Sequence, residues 1–266
     1  MDVLARHADR IPVLSLREVT LSYGGKIIQR QLSFDVRRGS IFAIMGGSGA
    51  GKSTALRSMI GLLAPRSGAM LVEGQDYWAS SWAQRALIGR RFGVLFQSGA
   101  LWSSLTVGEN VALPMRMLTQ MDRSTIRRMV ELKLALVGLE EACDLLPAQL
   151  SGGMVKRAGI ARALALDPDI LFLDEPSSGL DPVSARHLDD LILDLRDALH
   201  TTIVIVSHDL ANLFATADDG IFLDEHTHTA IAHGSPTALR DRSEDRRIQA
   251  FMRRGETVTV PVREAV

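Results

Sequence analysis

The chain has 266 residues, 46% hydrophobic and 23% charged, a balance that excludes disordered and fibrous proteins and allows a large core in one or two lobes. Its 30 basic and 31 acidic residues leave a net charge of -1, so no overall field draws it to nucleic acid or anionic lipid. One cysteine, Cys143, excludes an internal disulfide. The opening "MDVLARHADRIPVL" lacks a signal peptide's apolar centre, and no apolar run approaches the roughly 18 residues of a membrane helix. The expected compartment is the cytosol, with any membrane contact made through another chain.

In chain order, "PVLSLREVTLSY" and "KIIQRQLSFDV" partly alternate and read as strands joined at Gly24-Gly25. "GSIFAIM" is a continuous apolar run, as in a strand buried on both faces. A helix is predicted from about Lys52 to Leu63, and "PRSGAMLVEG" then returns to strand and turn character. From Ser98 to Leu166 the texture is helical. Ile126, Met129, Val130, Leu134 and Val137 keep helical spacing and stop at Gly138, a residue suited to ending a helix. "DILFLDEP" and "TTIVIVSH" read as strands, separated by a helix with the stripe Leu188, Leu191, Ile192, Leu195 and Leu199, which argues a parallel crossover. "DGIFLDEHTHTAIAHG" reads as a closing hairpin, and Ser235-Pro236 as the cap and first position of a helix. From Asp241 the chain mixes arginines with "ETVTVPV". Arg240, Arg242, Arg246 and Arg247 read as a solvated helix face, with a partner-binding tail as the alternative.

Two glycine-rich stretches carry the chemistry. "GGSGAGKS", Gly46 to Ser53, has the spacing of an eight-residue phosphate-binding loop between a strand and a helix. Gly46, Gly47, Ser48, Gly49, Ala50 and Gly51 let backbone amides converge on phosphate oxygens, and Thr54 continues the helix start. Lys52 reaches the outer phosphates, and Ser53 offers its hydroxyl to magnesium. "ILFLDE" ends an apolar strand in Asp174 and Glu175, where ligands of open parallel sheets bind. Asp174 suits a magnesium ion and Glu175 suits activation of water; taken alone, two acids ending an apolar strand are equally a structural pair. In "LSGGM", Ser151 can cap a helix while Gly152 and Gly153 expose their amides, a second anion site, although an isolated Ser-Gly-Gly is more often an ordinary cap. It lies in the helical stretch, away from its own phosphate loop. A second copy of the chain placed head to tail would bring it to the partner's nucleotide.

This order of motifs resembles the nucleotide-binding subunit of ATP-binding cassette (ABC) transporters over roughly residues 13 to 235. "GGSGAGKS" is similar to the Walker A loop, "LSGGM" to the signature, "ILFLDE" to Walker B, "SGLD" (Ser178 to Asp181) to the D-loop, and "VSHD" to the switch-histidine segment. The resemblance implies an α/β P-loop NTPase of ABC type, with a mixed or parallel β core, an N-terminal antiparallel β subdomain and an inserted helical subdomain. The implied divisions are a nucleotide-binding core at 1–97, the helical subdomain at 98–166, the core continued at 167–235, and a C-terminal helix and tail at 236–266. By the same likeness Tyr23 stacks on adenine, Gln97 contacts magnesium and the attacking water, His208 holds the γ-phosphate, and Asp181 belongs to the nucleotide site. The implied cofactors are ATP and Mg2+. Met154 stands where the family commonly has glutamine. A thioether cannot donate a hydrogen bond, which puts any contact there to the partner nucleotide's sugar in doubt.

Ser-Gly-Ala-Leu directly after Gln97, together with "LSGGMVKRAGIARALALDPDILFLDEP", looks like the ATPases that serve mammalian-cell-entry (MCE) lipid transporters, among them the bacterial system that maintains lipid asymmetry. That likeness implies phospholipid movement across a diderm cell envelope, driven from the cytoplasmic side of the inner membrane. The implied partners are a second copy of the chain and an integral membrane permease. A periplasmic-side MCE protein and a small cytosolic accessory protein are further candidates; no nucleic acid is expected. Leu101, Trp102 and Leu105 are candidates for permease contact, with packing inside the lobe as the equal alternative. A solute importer, a lipoprotein-releasing complex and a regulatory ATP sensor stay open as other readings. His226 and His228, two apart, read as a hairpin turn rather than a metal clasp, since no third ligand is apparent.

Overall fold

The computed structural model describes residues 11–253. Strands β1 (Leu14–Tyr23) and β2 (Lys26–Val36) pair antiparallel, with Tyr23 opposite Lys26 across the Gly24-Gly25 turn. β4 (Ser67–Val72) joins the other edge of β1, and β5 (Gln75–Asp76) completes a four-stranded sheet of order β2-β1-β4-β5. The second sheet has six strands in the order β10-β9-β3-β8-β7-β6. Here β3 is Ile41–Gly46, β6 Phe92–Leu95, β7 Ile170–Asp174, β8 Thr202–Val206, β9 Asp219–Asp224 and β10 Thr229–His233. Every neighbouring pair is parallel except β9 with β10, the closing hairpin.

The apolar strands are buried on both faces because two cores meet at this sheet. Along β3, Ile41, Ala43 and Met45 enter the cluster shared with the helices, while Phe42 and Ile44 enter the cluster beneath the antiparallel sheet. That alternation follows from the period of two in a strand and accounts for the unbroken apolar run.

Helix α1 (Lys52–Met59) follows the phosphate loop and ends four residues before the expected Leu63. Gly61 takes a φ of +80°, and Leu62 and Gly61 donate to the carbonyls of Arg57 and Ser58, the paired bonds of a Schellman stop. The stretch that follows holds helix α2 (Trp82–Gly89), which apolar periodicity does not reveal because only Ile88 on it is buried. Its signal is the Ser81/Gln84 capping box.

Between β6 and β7 lie α3 (Val107–Leu118), α4 (Arg123–Leu136) and α5 (Gly152–Ala163). α4 ends in a second Schellman arrangement, with Gly138 at φ +62° and bonds from Gly138 and Leu139 back to Ala135 and Leu134. Val107, Val111, Met115, Ile126, Val130 and Leu134 of α3 and α4 join the same core cluster as the sheet face above them. α6 (Pro182–Leu199) makes the crossover from β7 to β8, burying Leu188, Ile192 and Leu195, with Leu199 exposed at its end. After α7 (Leu210–Thr216) and the hairpin, Ser235 caps α8 (Pro236–Arg242) through Ala238, and α9 (Arg246–Met252) ends the described chain. Arg247 pairs with Asp224 and Asp245, so this part of the arginine-rich face is tied to the sheet. "ETVTVPV" lies outside the described residues.

At Gly93 on β6, an added Cβ would collide with the backbone carbonyl of Ala163 at the end of α5 and with the Pro168 ring. Gly93→Ala is therefore expected to cost about 1–3 kcal/mol, measurable as a lowered midpoint in urea unfolding with an unchanged slope.

Candidate active site

The phosphate loop leaves β3 at Gly46 and enters α1 through Gly51, whose φ of +87° places it in the left-handed region. Gly51 caps α1 without any side-chain hydrogen bond, and the first turn carries no acidic residue. The amino-terminal N–H groups are thus left for an anion, which is what a phosphate requires. A side chain at Gly51 would also meet Ile28 and Gln29 of β2, and the buried Gln29 amide donates to the Ala50 carbonyl at 2.6 Å, bracing the loop from below. Ala50 itself packs into the core.

Lys52 is buried, and its ammonium donates to the carbonyls of Gly46 and Gly47 at 3.0 and 2.9 Å. Burial pulls its pKa down, against the opposing pull of Glu175, Asp174 and Glu225. A lysine curled over loop carbonyls and ringed by carboxylates is a cation held ready for phosphate oxygens.

Parallel pairing carries Asp174 and Glu175 to the same edge of the sheet. Ser53 Oγ lies 3.5 Å from Asp174 Oδ1. Burial raises the Asp174 pKa, and the Glu175 charge raises it further. Glu175 stands just past β7 with a φ of +50°, its N–H donating to the Val206 carbonyl at 2.8 Å. Its Oε2 lies 2.7 Å from Nδ1 of the exposed His208, at the end of β8. A carboxylate oriented by an imidazole at the mouth of a cavity can accept a proton from a bound water.

The cavity, about 540 Å³, is lined by the loop from Gly46 to Thr54, except the core-facing Ala50, together with Gln97, Glu175 and His208; Asp174 lies beside it through Ser53. Gln97 Nε2 reaches Ser178 Oγ at 3.5 Å. Phe251 of α9 and Ile28 of β2 also line it, and periodicity alone did not mark either as part of a site.

Not every expected residue gathers there. Tyr23 is 68% exposed at the end of β1 and is not among the lining residues. Ser151 caps α5 by accepting from Met154 N at 3.3 Å, and with Gly153 it lines a separate cavity beside Ser184 and His187. Gly152 faces Leu180. Among the described residues the two cavities share no lining residue. Asp181 caps α6 through Val183 N and Ser184 N and also accepts from Ser184 Oγ, bonds that lower its pKa. Met154 packs against the helical core. Trp102 is exposed, whereas Leu101 and Leu105 are half-buried, and Leu101 packs on the core. No group of three or more potential metal ligands occurs among the described residues, His226 and His228 included.

Sequence reading missed Lys156. It shares a helical face with Gly152, Gly159 and Ile160, at spacings of four, three and four, and a lysine on so small and apolar a face was the available signal. Its ammonium is buried against the backbone carbonyls of Gln97 and Glu175.

A family profile described as ABC transporter matches residues 29–178, more than half of the chain. The chain belongs to the ABC transporter family. It is 39% identical to the intermembrane phospholipid transport system ATP-binding protein MlaF of Haemophilus influenzae, over 91% of this chain and 90% of that protein. It is 42% identical to the probable ribonucleotide transport ATP-binding protein mkl of Mycobacterium tuberculosis, over 78% of this chain and 58% of that one. Among solved structures, the dimeric post-hydrolysis state of the ATP-binding cassette MJ0796, bound to ADP and Pi, superposes with a TM-score of 0.75 at 29% identity, covering 83% of this chain and 97% of that chain. The chain is thus an ABC-type ATPase subunit with the family's P-loop fold. No helix among the described residues is long and apolar enough to cross a membrane.

The raised Asp174 pKa has a consequence for stability. The fold binds this proton more tightly than the unfolded chain does, so stability falls as pH rises from the usual carboxylate value through the raised one, and it stays lost at neutral pH. Asp174→Asn is expected to raise the melting temperature of the nucleotide-free protein at neutral pH. The gain should vanish below the carboxylate range, and scanning calorimetry across pH checks both arms.

Proposed function

We propose that this chain hydrolyses ATP in a head-to-tail pair beneath a membrane permease and that the cargo is phospholipid. The observation that carries the reading is the separation of the two anion sites. Lys52 and Glu175 share one cavity while Ser151 and Gly153 line another, and a second copy is the simplest way to bring them together on one nucleotide. The dimeric MJ0796 cassette supports that arrangement. The likeness to MlaF supports the lipid cargo and, with it, a peripheral position on the cytoplasmic side of the inner membrane. Exposed Trp102 is the residue assigned to permease contact.

The residues present fit magnesium, because Ser53, Asp174 and Gln97 offer a hydroxyl, a carboxylate and an amide oxygen, the hard donors this ion takes. When bound, the ion supplies charge neutralisation on the phosphate oxygens. Lys52 and the loop amides from Gly46 to Thr54 hold the phosphates, and Ser151 with the Gly152 and Gly153 amides holds them from the second copy. Tyr23 and Asp181 are assigned to the nucleotide's outer contacts. Glu175 takes a proton from the attacking water as the water oxygen bonds to the γ-phosphorus and the bond to the ADP oxygen breaks. His208 holds the γ-phosphate and, through its Nδ1 contact, keeps the Glu175 carboxylate oriented at that water.

Glu175→Gln is expected to bind ATP with little change while turnover falls about 10²- to 10⁴-fold. Single-turnover kinetics beside ATP titration reads both, and near-normal turnover would remove Glu175 from the role of base. The cargo is tested by gentle detergent extraction of the tagged chain from its own host and mass spectrometry of what co-purifies. A permease with an MCE-domain protein and phospholipid is the expected recovery. A permease carrying another solute, such as the ribonucleotide in the name of mkl, would overturn the lipid reading and leave the ATPase intact.

A further inference from the structure

Lys156 lies in the second turn of α5, five residues after the cap Ser151, and is 5% exposed. Its Nζ donates to the Gln97 carbonyl and, at 3.0 Å, to the Glu175 carbonyl. Burying an ammonium against backbone carbonyls rather than a paired carboxylate is costly, so the position calls for a return elsewhere. The two carbonyls belong to the residues assigned to the attacking water. Glu175 in addition holds a left-handed φ of +50°, a conformation that persists in a non-glycine residue only when its surroundings fix it. Those surroundings are the Val206 carbonyl, the Ser178 N–H at 3.2 Å and Lys156.

The same helix grips the loop after β6 further along. Arg162 donates to the carbonyls of Gly99 and Ala100 at 3.2 and 2.5 Å, and Gly159 lies so close to Gly99 and Leu95 that a Cβ there would strike the leucine. α5 therefore carries Gln97 and its loop with it. Lys156 is the side chain through which it also reaches Glu175. At its other end, α5 begins at Ser151, Gly152 and Gly153.

We propose that Lys156 is a positioning residue that links the two nucleotide sites of the pair. A nucleotide held by the second copy and seated on Ser151 to Gly153 fixes α5, and Lys156 passes that placement to the backbones of Gln97 and Glu175 in this chain's own site. The inference rests on the proposed head-to-tail reading and adds a route by which filling one site readies the other.

The test uses the full-length chain, with ATP affinity and steady-state turnover measured side by side. Lys156→Met, which keeps the stem and removes the donor, is expected to lower kcat about 10- to 100-fold, to leave the ATP Kd within about twofold, and to give a lower Hill coefficient for turnover against ATP than the unaltered chain, for which the proposal expects a value above one. Lys156→Arg, which keeps a cationic donor, is expected to restore most of the rate. In a Glu175→Gln background Lys156→Met should lower turnover by a smaller factor than in the unaltered chain, because the part of its effect that runs through the Glu175 carboxylate is already gone. Unchanged kcat in Lys156→Met, a Kd that weakens in step with kcat, or an undiminished effect in the Glu175→Gln background would each overturn the proposal. Lys156→Gln serves as the second donor-poor variant; if neither it nor Lys156→Met folds, Lys156 is a structural anchor and the proposal fails. Near-normal turnover of Glu175→Gln alone would instead sink the assignment of the base, a separate result.

Discussion

Parallel pairing of β3, β8 and β7 is the constraint on which the rest of the molecule depends. It sends the carboxyl ends of these strands to one edge, so the loop after Gly46, the acids after Leu173 and the histidine after Val206 converge although they lie far apart along the chain. Two cores clamp the sheet, one on each face, and hold that edge in register. The site borrows rigidity from the strands and keeps its polar groups on the loops, the usual division in open α/β sheets.

Such an edge accumulates charge that folding alone would avoid. Lys52 is buried with its pKa pulled down, and Asp174 is buried with its pKa pushed up. Lys156 sits on carbonyls in place of a carboxylate. Each is unfavourable in isolation; Lys52 lines the phosphate-loop cavity, and Asp174 and Lys156 stand directly behind residues that line it, a setting suited to phosphate and a divalent cation. Binding of such ligands to the folded state alone would stabilise it by mass action, so nucleotide binding and fold stability are linked. Helix α5 connects the two cavities, because Lys156 holds the carbonyls of Gln97 and Glu175, which line the first, and Ser151 at the start of the helix lines the second.

Much of this was legible in the sequence, for reasons that differ by element. Continuous apolar runs announced β3, β7 and β8 because strands buried on both faces leave no alternative composition. Glycine spacing announced the phosphate loop because only certain positions tolerate its backbone. Helix α2 escaped because its sole buried residue, Ile88, leaves no stripe, and β6 escaped because four residues are too few to show a period. The close of α1 at Met59 was decided by Gly61, whose left-handed backbone outweighed the apolar Leu62 and Leu63. Lys156 was overlooked because a lysine in a helix ordinarily faces water; its burial depends on the loop that follows β6, a contact made between residues about 60 positions apart.

The central claim is that neither nucleotide site is complete within one chain. Determination of the structure of the full-length protein with a non-hydrolysable ATP analogue and Mg2+ tests it most directly. The account predicts a head-to-tail pair in which the analogue's phosphates lie between Lys52 of one copy and Ser151 to Gly153 of the other, with Lys156 still on the Gln97 and Glu175 carbonyls. A nucleotide fully enclosed by a single copy, with Ser151 turned to solvent or folded onto its own phosphate loop, would contradict it.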